Sequence, residues 1–215
     1  FNDGAEIFFG GMGDHWNVPV CDYDSTEKYE QKYPFFIEEP RTSNQSSYRA
    51  PSNHITTGKH SSELFADASI KYLNNYTSDK PFFMYTSLMA PHDPRTMPER
   101  FLKMYNPDKI SLSKNFMAQH PFDTGALRIR DELLATIPRN AKEIKRHIAE
   151  YYAMISHLDY EFGRILKALK NCGKLENTII VFSGDNGLAI GQHGLMGKQS
   201  LYEHSIRVPL IISGP

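Results

Sequence analysis

Ser183-Gly184-Asp185-Asn186-Gly187 stands near one end of a 215-residue chain, followed by a glycine-rich loop to Gly197-Lys198 and then by Leu201-Tyr202-Glu203. An acid, an amide and a lysine are thereby hung on one short stretch between two apolar runs, residues 178–182 and 208–212, which are expected to form buried strands. Asp185 and Asn186 fall where the first run ends, and in open α/β sheets ligands bind beyond the carboxyl ends of strands, where loops converge without breaking the sheet. Both side chains offer oxygen, one charged and one neutral. That donor type suits a hard cation, Ca²⁺ or Mg²⁺, whereas a histidine in the second place would favour zinc. Lys198 adds a compact ammonium with three donors, suited to a tetrahedral oxyanion. Gly184, Gly187, Gly191, Gly194 and Gly197 allow the intervening backbone to take positive φ and lie close to a ligand. Asp-Asn-Gly alone is also a common turn sequence; Lys198 and its setting point to a site.

A second stretch carries comparable chemistry. Residues 81–89 (Pro-Phe-Phe-Met-Tyr-Thr-Ser-Leu-Met) make an aromatic-rich run of strand length, followed at once by Ala90-Pro91-His92-Asp93-Pro94. Proline fixes φ at Pro91 and disfavours helix at Asp93, so His92 is expected on a stiff loop just past a strand. A histidine there can donate to an anionic oxygen or protonate a leaving group near neutral pH. The alternative is a surface turn with an incidental histidine.

The elements that must position these residues follow from periodicity. Ser61-Ser62-Glu63-Leu64 opens a helix with serine caps and with Leu64, Ala68, Tyr72 and Tyr76 along one face. Ile144, Ile148, Tyr152, Ile155, Phe162, Ile165, Leu166 and Leu169 recur at helical spacing, and Gly173 suits that helix's stop. Lys142, Glu143, Lys145, Arg146 and His147 form its expected solvated face, and Asp159 interrupts its apolar stripe as a hydrogen-bonded structural acid. Helix into strand near residue 178 gives α/β alternation. Residues 5–9 are a short strand candidate, and residues 14–60 an irregular, Pro-punctuated excursion of the kind that shapes a binding pocket, in which Asp14, His15, Trp16 and His54 are candidates for touching substrate but are expected rather to pack or face solvent. Asn44-Gln45-Ser46 and Asn75-Tyr76-Thr77 match a glycosylation acceptor pattern. His193 and His204 are candidates for supporting contacts near the loop but lack metal-ligand spacing.

Composition narrows the classes. Hydrophobic content of 40% and charged content of 23% are those of an ordinary globular protein, and a net charge of −1 points to neither nucleic acid nor anionic membrane as partner. No apolar run approaches bilayer length. Cys21 and Cys172 fit no zinc spacing and are expected to stay unpaired.

The order Ala90-Pro91-His92-x-Pro94, a helix ending Leu169-x-x-x-Gly173, then Asn177-Thr178-Ile179-Ile180-Val181-Phe182-Ser183-Gly184-Asp185-Asn186-Gly187, Gly197-Lys198-x-x-Leu201-Tyr202-Glu203 and Arg207-Val208-Pro209-Leu210-Ile211-Ile212 resembles the type I sulfatase family of the alkaline-phosphatase-like fold. The resemblance extends from about residue 61 to residue 215. It implies an α/β/α sandwich with a mostly parallel mixed sheet, incomplete in this chain, in which residues 1–60 are an excursion and 61–215 a core portion of one catalytic domain. It also implies Asp185 and Asn186 as ligands of an active-site Ca²⁺, with Mg²⁺ the alternative, Lys198 as a sulfate ligand, and His92 in contact with the sulfate or ester oxygen. The implied substrate is a small-molecule or carbohydrate sulfate ester, and the implied setting periplasmic, secreted or lysosomal. The family's nucleophile is a formylglycine made within a Cys/Ser-x-Pro/Ala-x-Arg signature, and no such signature occurs in the sequence. The chain is therefore expected to be an internal piece of a longer enzyme, inactive alone, with Asp185 left to pair with Lys198 or water. Two other readings stay open: a phosphatase, phosphodiesterase or phosphonate hydrolase of the same superfamily, and a non-catalytic anion- or metal-binding relative.

Overall fold

The computed structural model describes residues 2–33, 36–38 and 47–215; the triplet at Asn44 lies outside them. In chain order the elements are β1 (Pro19–Val20), β2 (Phe36–Glu38), β3 (Ser47–Arg49), β4 (His54–Ile55), α1 (Ser61–Asn75), α2 (Glu99–Leu102), α3 (Ala141–Asn171), β5 (Ile180–Ser183), α4 (Glu203–Ile206) and β6 (Leu210–Ser213). They fall into two compact units, the first Phe1–Leu102 with Ala153–Leu175, the second Lys103–Tyr152 with Glu176–Pro215. Helix α3 contributes its first part to the second unit and its remainder to the first.

In the first unit the excursion is tied by short antiparallel pairs, β1 with β4 and β2 with β3, and residue Ile7 of the 5–9 segment bridges Cys21. One core cluster joins Val18 and Val20 to Leu64 and Phe65 of α1, another joins Ala90 to Met154 and Leu158 of α3. Helix α1 begins at Ser61, but its cap is the residue before the serines: the His60 imidazole, rather than a serine hydroxyl, accepts the Ser62 N–H. Its buried face is Leu64, Phe65, Ser69 and Leu73, rotated from the stripe expected through Ala68 and Tyr72. Residues 81–89 alternate between exposed and half-buried positions as a strand does, but join no ladder among the described residues. Phe83 and Tyr85 are exposed.

The second unit is built around Ile144 and Ile148 of α3 packed with Ala135, Ile190 and Met196. Strands β5 and β6 pair antiparallel, Val181 opposite Ile212 and Phe182 opposite Ile211. They were expected to be buried, yet Val181, Leu210, Ile211 and Ile212 are all exposed; apolarity identified them as strands without supplying the layer to cover them.

Helix α3 ends as its glycine requires. Gly173 has φ +73°, and the Lys174 N–H reaches back to the Leu169 carbonyl at 3.2 Å, the pattern of a Schellman cap. Of the expected stripe, Ile144, Ile148, Ile165 and Leu169 are buried, whereas Tyr152 and Ile155 are exposed and Ala149, Ala153 and Met154 take their places inside. Small residues let the helix approach its neighbours, a preference that hydrophobicity alone does not reveal. His147 is likewise buried, between Glu143 and Glu150, instead of solvated, and Asp159 is exposed while Glu161 is the buried acid.

Candidate anion-binding site

Asp185 and Asn186 lie just beyond β5, both exposed, in the second unit. The Asp185 carboxylate accepts the Asn186 N–H at 2.9 Å, which ties the acid to the backbone that follows it. Gly187 then presses against the backbone of His204, donating to the Ser205 carbonyl at 2.8 Å. A Cβ at Gly187 would sit 1.9 Å from the His204 carbonyl oxygen, so the close approach that glycine permits here is to protein backbone. Of the five glycines only Gly191 and Gly194 take positive φ.

Lys198 is half-buried at the loop's return. Three successive N–H groups there are received by side-chain oxygens: Met196 N–H by Glu132 Oε2 at 2.8 Å, Gly197 N–H by Glu132 Oε1 at 2.9 Å, and Lys198 N–H by Gln199 Oε1 at 3.0 Å. Gln199 is itself held, its Nε2 donating to Asp131 Oδ2 at 2.7 Å. Buried Arg139 completes the arrangement, donating to Glu132 Oε2 at 2.5 Å and to the carbonyls of Gly194 at 2.9 Å and Ala135 at 2.8 Å. Burial works to raise the Asp131 carboxyl, but the Gln199 hydrogen bond and the charges of Arg130 and Lys198 outweigh it and hold the group below its ordinary range. Among the described residues the Lys198 ammonium makes no ion pair, so of the two expected partners of Asp185, Lys198 or water, the first is not engaged.

The histidines of this unit are structural. His193, at φ +53°, stacks on Tyr202 with centroids 4.2 Å apart and accepts from Asn115 Nδ2 at 3.0 Å. His120 Nδ1 donates to the His193 carbonyl at 2.7 Å, and His204 meets Ser200 at 3.2 Å. Among the described residues no group of three or more His, Cys, Asp or Glu gathers as a metal cluster. Asp185 and Asn186 therefore fit a hard cation in donor type, and as a pair supply two of the six or more oxygens that Ca²⁺ takes.

His92 belongs to the first unit, where it is held with equal care. Its Nδ1 donates to the Asp93 carbonyl at 3.0 Å, with Asp93 Oδ1 at 3.3 Å. A carbonyl can only accept, so the neutral ring carries its proton on Nδ1, and Nε2 donates only in the imidazolium. Fully buried His15 donates from Nε2 to the His92 carbonyl at 2.9 Å while its Nδ1 accepts from Ser61 at 2.6 Å. His60 donates from Nε2 to the Thr96 carbonyl at 3.0 Å. The His15 and His60 rings stack at 4.9 Å, with Trp16 edge-on to His60 at 5.1 Å. Burial keeps both rings neutral, lowering the His60 pKa to about 4. His15 and Trp16 thus pack, as expected, while His54 pairs with Glu6 at 2.9 Å. Cys21 is buried and unpaired, and Cys172 is unpaired.

Sequence reasoning missed Asp131, Glu132, Arg139 and Gln199. The one available signal was an acid pair and an arginine inside a segment with neither helical nor strand period, where charges have no amphipathic face to explain them.

Comparison with known proteins adds the following. The family model described as Sulfatase matches residues 8–215. An arylsulfatase from Clostridium perfringens is 34% identical over 158 residues, which are 73% of this chain and 32% of that protein. A phosphonate monoester hydrolase of Agrobacterium radiobacter superposes with a TM-score of 0.62 at 28% identity, over 70% of this chain and 32% of that one. A protein solved with its substrate D-glucosamine-2-N,6-O-disulfate superposes with a TM-score of 0.64 at 21% identity, over 94% of this chain and 49% of that one, a likeness of fold alone. The chain spans about a third of the length of the curated relatives it matches. The fold is that of an alkaline-phosphatase-like α/β chain, represented in part.

Proposed function

The chain belongs to the sulfatase family, and on that premise we propose that it supplies part of the metal- and sulfate-binding site of a sulfuric ester hydrolase, which cleaves a small-molecule or carbohydrate sulfate ester to an alcohol and inorganic sulfate. The observation that carries the proposal is the match across residues 8–215, within which Lys198 stands on a loop fixed residue by residue. In this reading the Lys198 ammonium holds an anionic sulfate oxygen. His92, oriented by the hydrogen bond from its Nδ1 to Asp93, delivers a proton as an imidazolium to the departing alkoxide oxygen. Asp185 and Asn186 supply two oxygens to Ca²⁺, or to Mg²⁺. A cation bound there adds charge neutralisation at the sulfate oxygens, which grows in value as charge develops in the transition state.

No residue of the chain stands in the Cys/Ser-x-Pro/Ala-x-Arg signature, and Cys21 is buried. We therefore expect the 215-residue polypeptide by itself to show no turnover of an aryl sulfate above background, since electrostatic help does not replace a covalent step. A second reading, phosphonate monoester hydrolysis, has the Agrobacterium radiobacter neighbour in its favour. The oxygen-only pair Asp185-Asn186, without the histidine that would suit zinc, favours the first. The test compares an aryl sulfate with a phosphonate monoester as substrates of the polypeptide as its gene encodes it. A higher kcat/KM for the sulfate is expected, and preference for the phosphonate would overturn the assignment.

A further inference from the structure

We infer that Asp131, Glu132, Arg139 and Gln199 are positioning residues for Lys198, fixing the backbone on both sides of it so that its ammonium meets an oxyanion without rearrangement. The inference rests on the sulfate-binding reading of Lys198. A lysine is a point charge on a flexible four-carbon stem, and its worth as an anion ligand depends on how firmly its Cα is placed. Ordinary loops leave successive N–H groups to water. Here Met196, Gly197 and Lys198 each give theirs to a side-chain oxygen, and the side chains that receive them are anchored in turn.

The anchor is an ion pair, and its nature is informative. Glu132 and Arg139 are both about 95% buried, and the Glu132 carboxylate is satisfied by two amides and a guanidinium. A buried pair of this kind contributes little net stability compared with apolar residues of the same volume. It does specify one geometry, because any other loop conformation strands a buried charge. Gly197 is part of the same fit: a Cβ there would lie 2.9 Å from Glu132 Oε1 and 2.6 Å from Gln199 Oε1. Asp131 acts a second way. Its ionised carboxylate anchors Gln199 and interacts electrostatically with the Lys198 charge, linking the loop's conformation to the presence of the ammonium it presents.

The experiment is a double-mutant cycle with inorganic sulfate as the probe, titrated calorimetrically into the polypeptide as its gene encodes it. Lys198→Met should weaken sulfate about 30-fold, Glu132→Gln about tenfold and Gln199→Met about threefold, in line with the loss of one charge-assisted or one ordinary hydrogen bond. In the Lys198→Met background, Glu132→Gln and Gln199→Met should weaken sulfate no further, because what they position is gone. Equal losses in both backgrounds would overturn the positioning role. Unchanged affinity in Lys198→Met alone would refute Lys198 as a sulfate ligand, and the positioning role with it. Should Glu132→Gln fail to fold, half-buried Gln199→Met decides the question.

Discussion

The two units hold their candidate functional residues by opposite means. In the first, the loop carrying His92 is fixed by neutral rings: His15 and His60 are buried, stacked on each other, and each gives its single proton to a loop carbonyl. In the second, the loop carrying Lys198 is fixed by charge, through Glu132, Arg139 and ionised Asp131. Both devices answer the same physical demand, that buried polar groups be paired if they are to specify a conformation. They differ in what breaks them. A neutral imidazole network fails when a proton is added, and an ion pair fails when one partner is removed.

The largest effect expected from breaking this contrast is in the second unit. Glu132→Ala strands the Arg139 guanidinium and should destabilise by about 3–5 kcal/mol, read as a shift in the urea midpoint. A loss below 1 kcal/mol would mean that the pair is solvated and the loop is held otherwise.

Acid is the way to break the device of the other unit. The His60 pKa is lowered from its ordinary 6.5 to about 4, so the folded state binds fewer protons than the unfolded between those values. The stability this ring contributes is therefore complete above pH 6.5 and is lost as pH falls toward 4, by at most about 3 kcal/mol. His15 shifts in the same direction. The groups facing His60 are the His15 and His157 rings, whose charges would oppose its protonation, and Glu161, which would favour it. In the second unit burial lowers half-buried His204, and Asp131, held below 3.8, gives way at lower pH still. Trp16 is the single tryptophan of the chain and lies edge-on to His60, so its emission reports the first unit specifically. Emission should change between pH 6.5 and 4; emission constant down to pH 4 would contradict the assignment.

The smallest effect sharpens the same point. His60→Asn keeps an oxygen able to cap α1 but removes the donor to the Thr96 carbonyl. It should cost about 1–2 kcal/mol at pH 7 and flatten the acid dependence, checked by urea unfolding at pH 7 and pH 5. An undiminished pH slope would place the titration elsewhere.

These devices were unevenly legible in the sequence. Asp185, Asn186, Lys198 and His92 stand out as candidates because each follows a strand-like run or a glycine-rich turn, and α3 was legible because its period is long and ends at Gly173. Strand burial could not be read, since Val181 and Ile211 look the same to a pattern whether or not another layer covers them. Nor could the supports. Glu132 and Arg139 sit in irregular chain, where position depends on tertiary pairing, and His60 became a cap in place of Ser61 because its ring was already drawn inward by Trp16 and His157.

The central claim is that Lys198, on its fixed loop, is a sulfate ligand beside a cation held by Asp185 and Asn186. The most direct measurement is a crystal structure of the polypeptide as its gene encodes it, with Ca²⁺ and inorganic sulfate bound. The account predicts a sulfate within hydrogen-bond distance of Lys198 Nζ, with the cation on Asp185 and Asn186. A sulfate that Lys198 does not touch, or a cation bound away from Asp185 and Asn186, would contradict it.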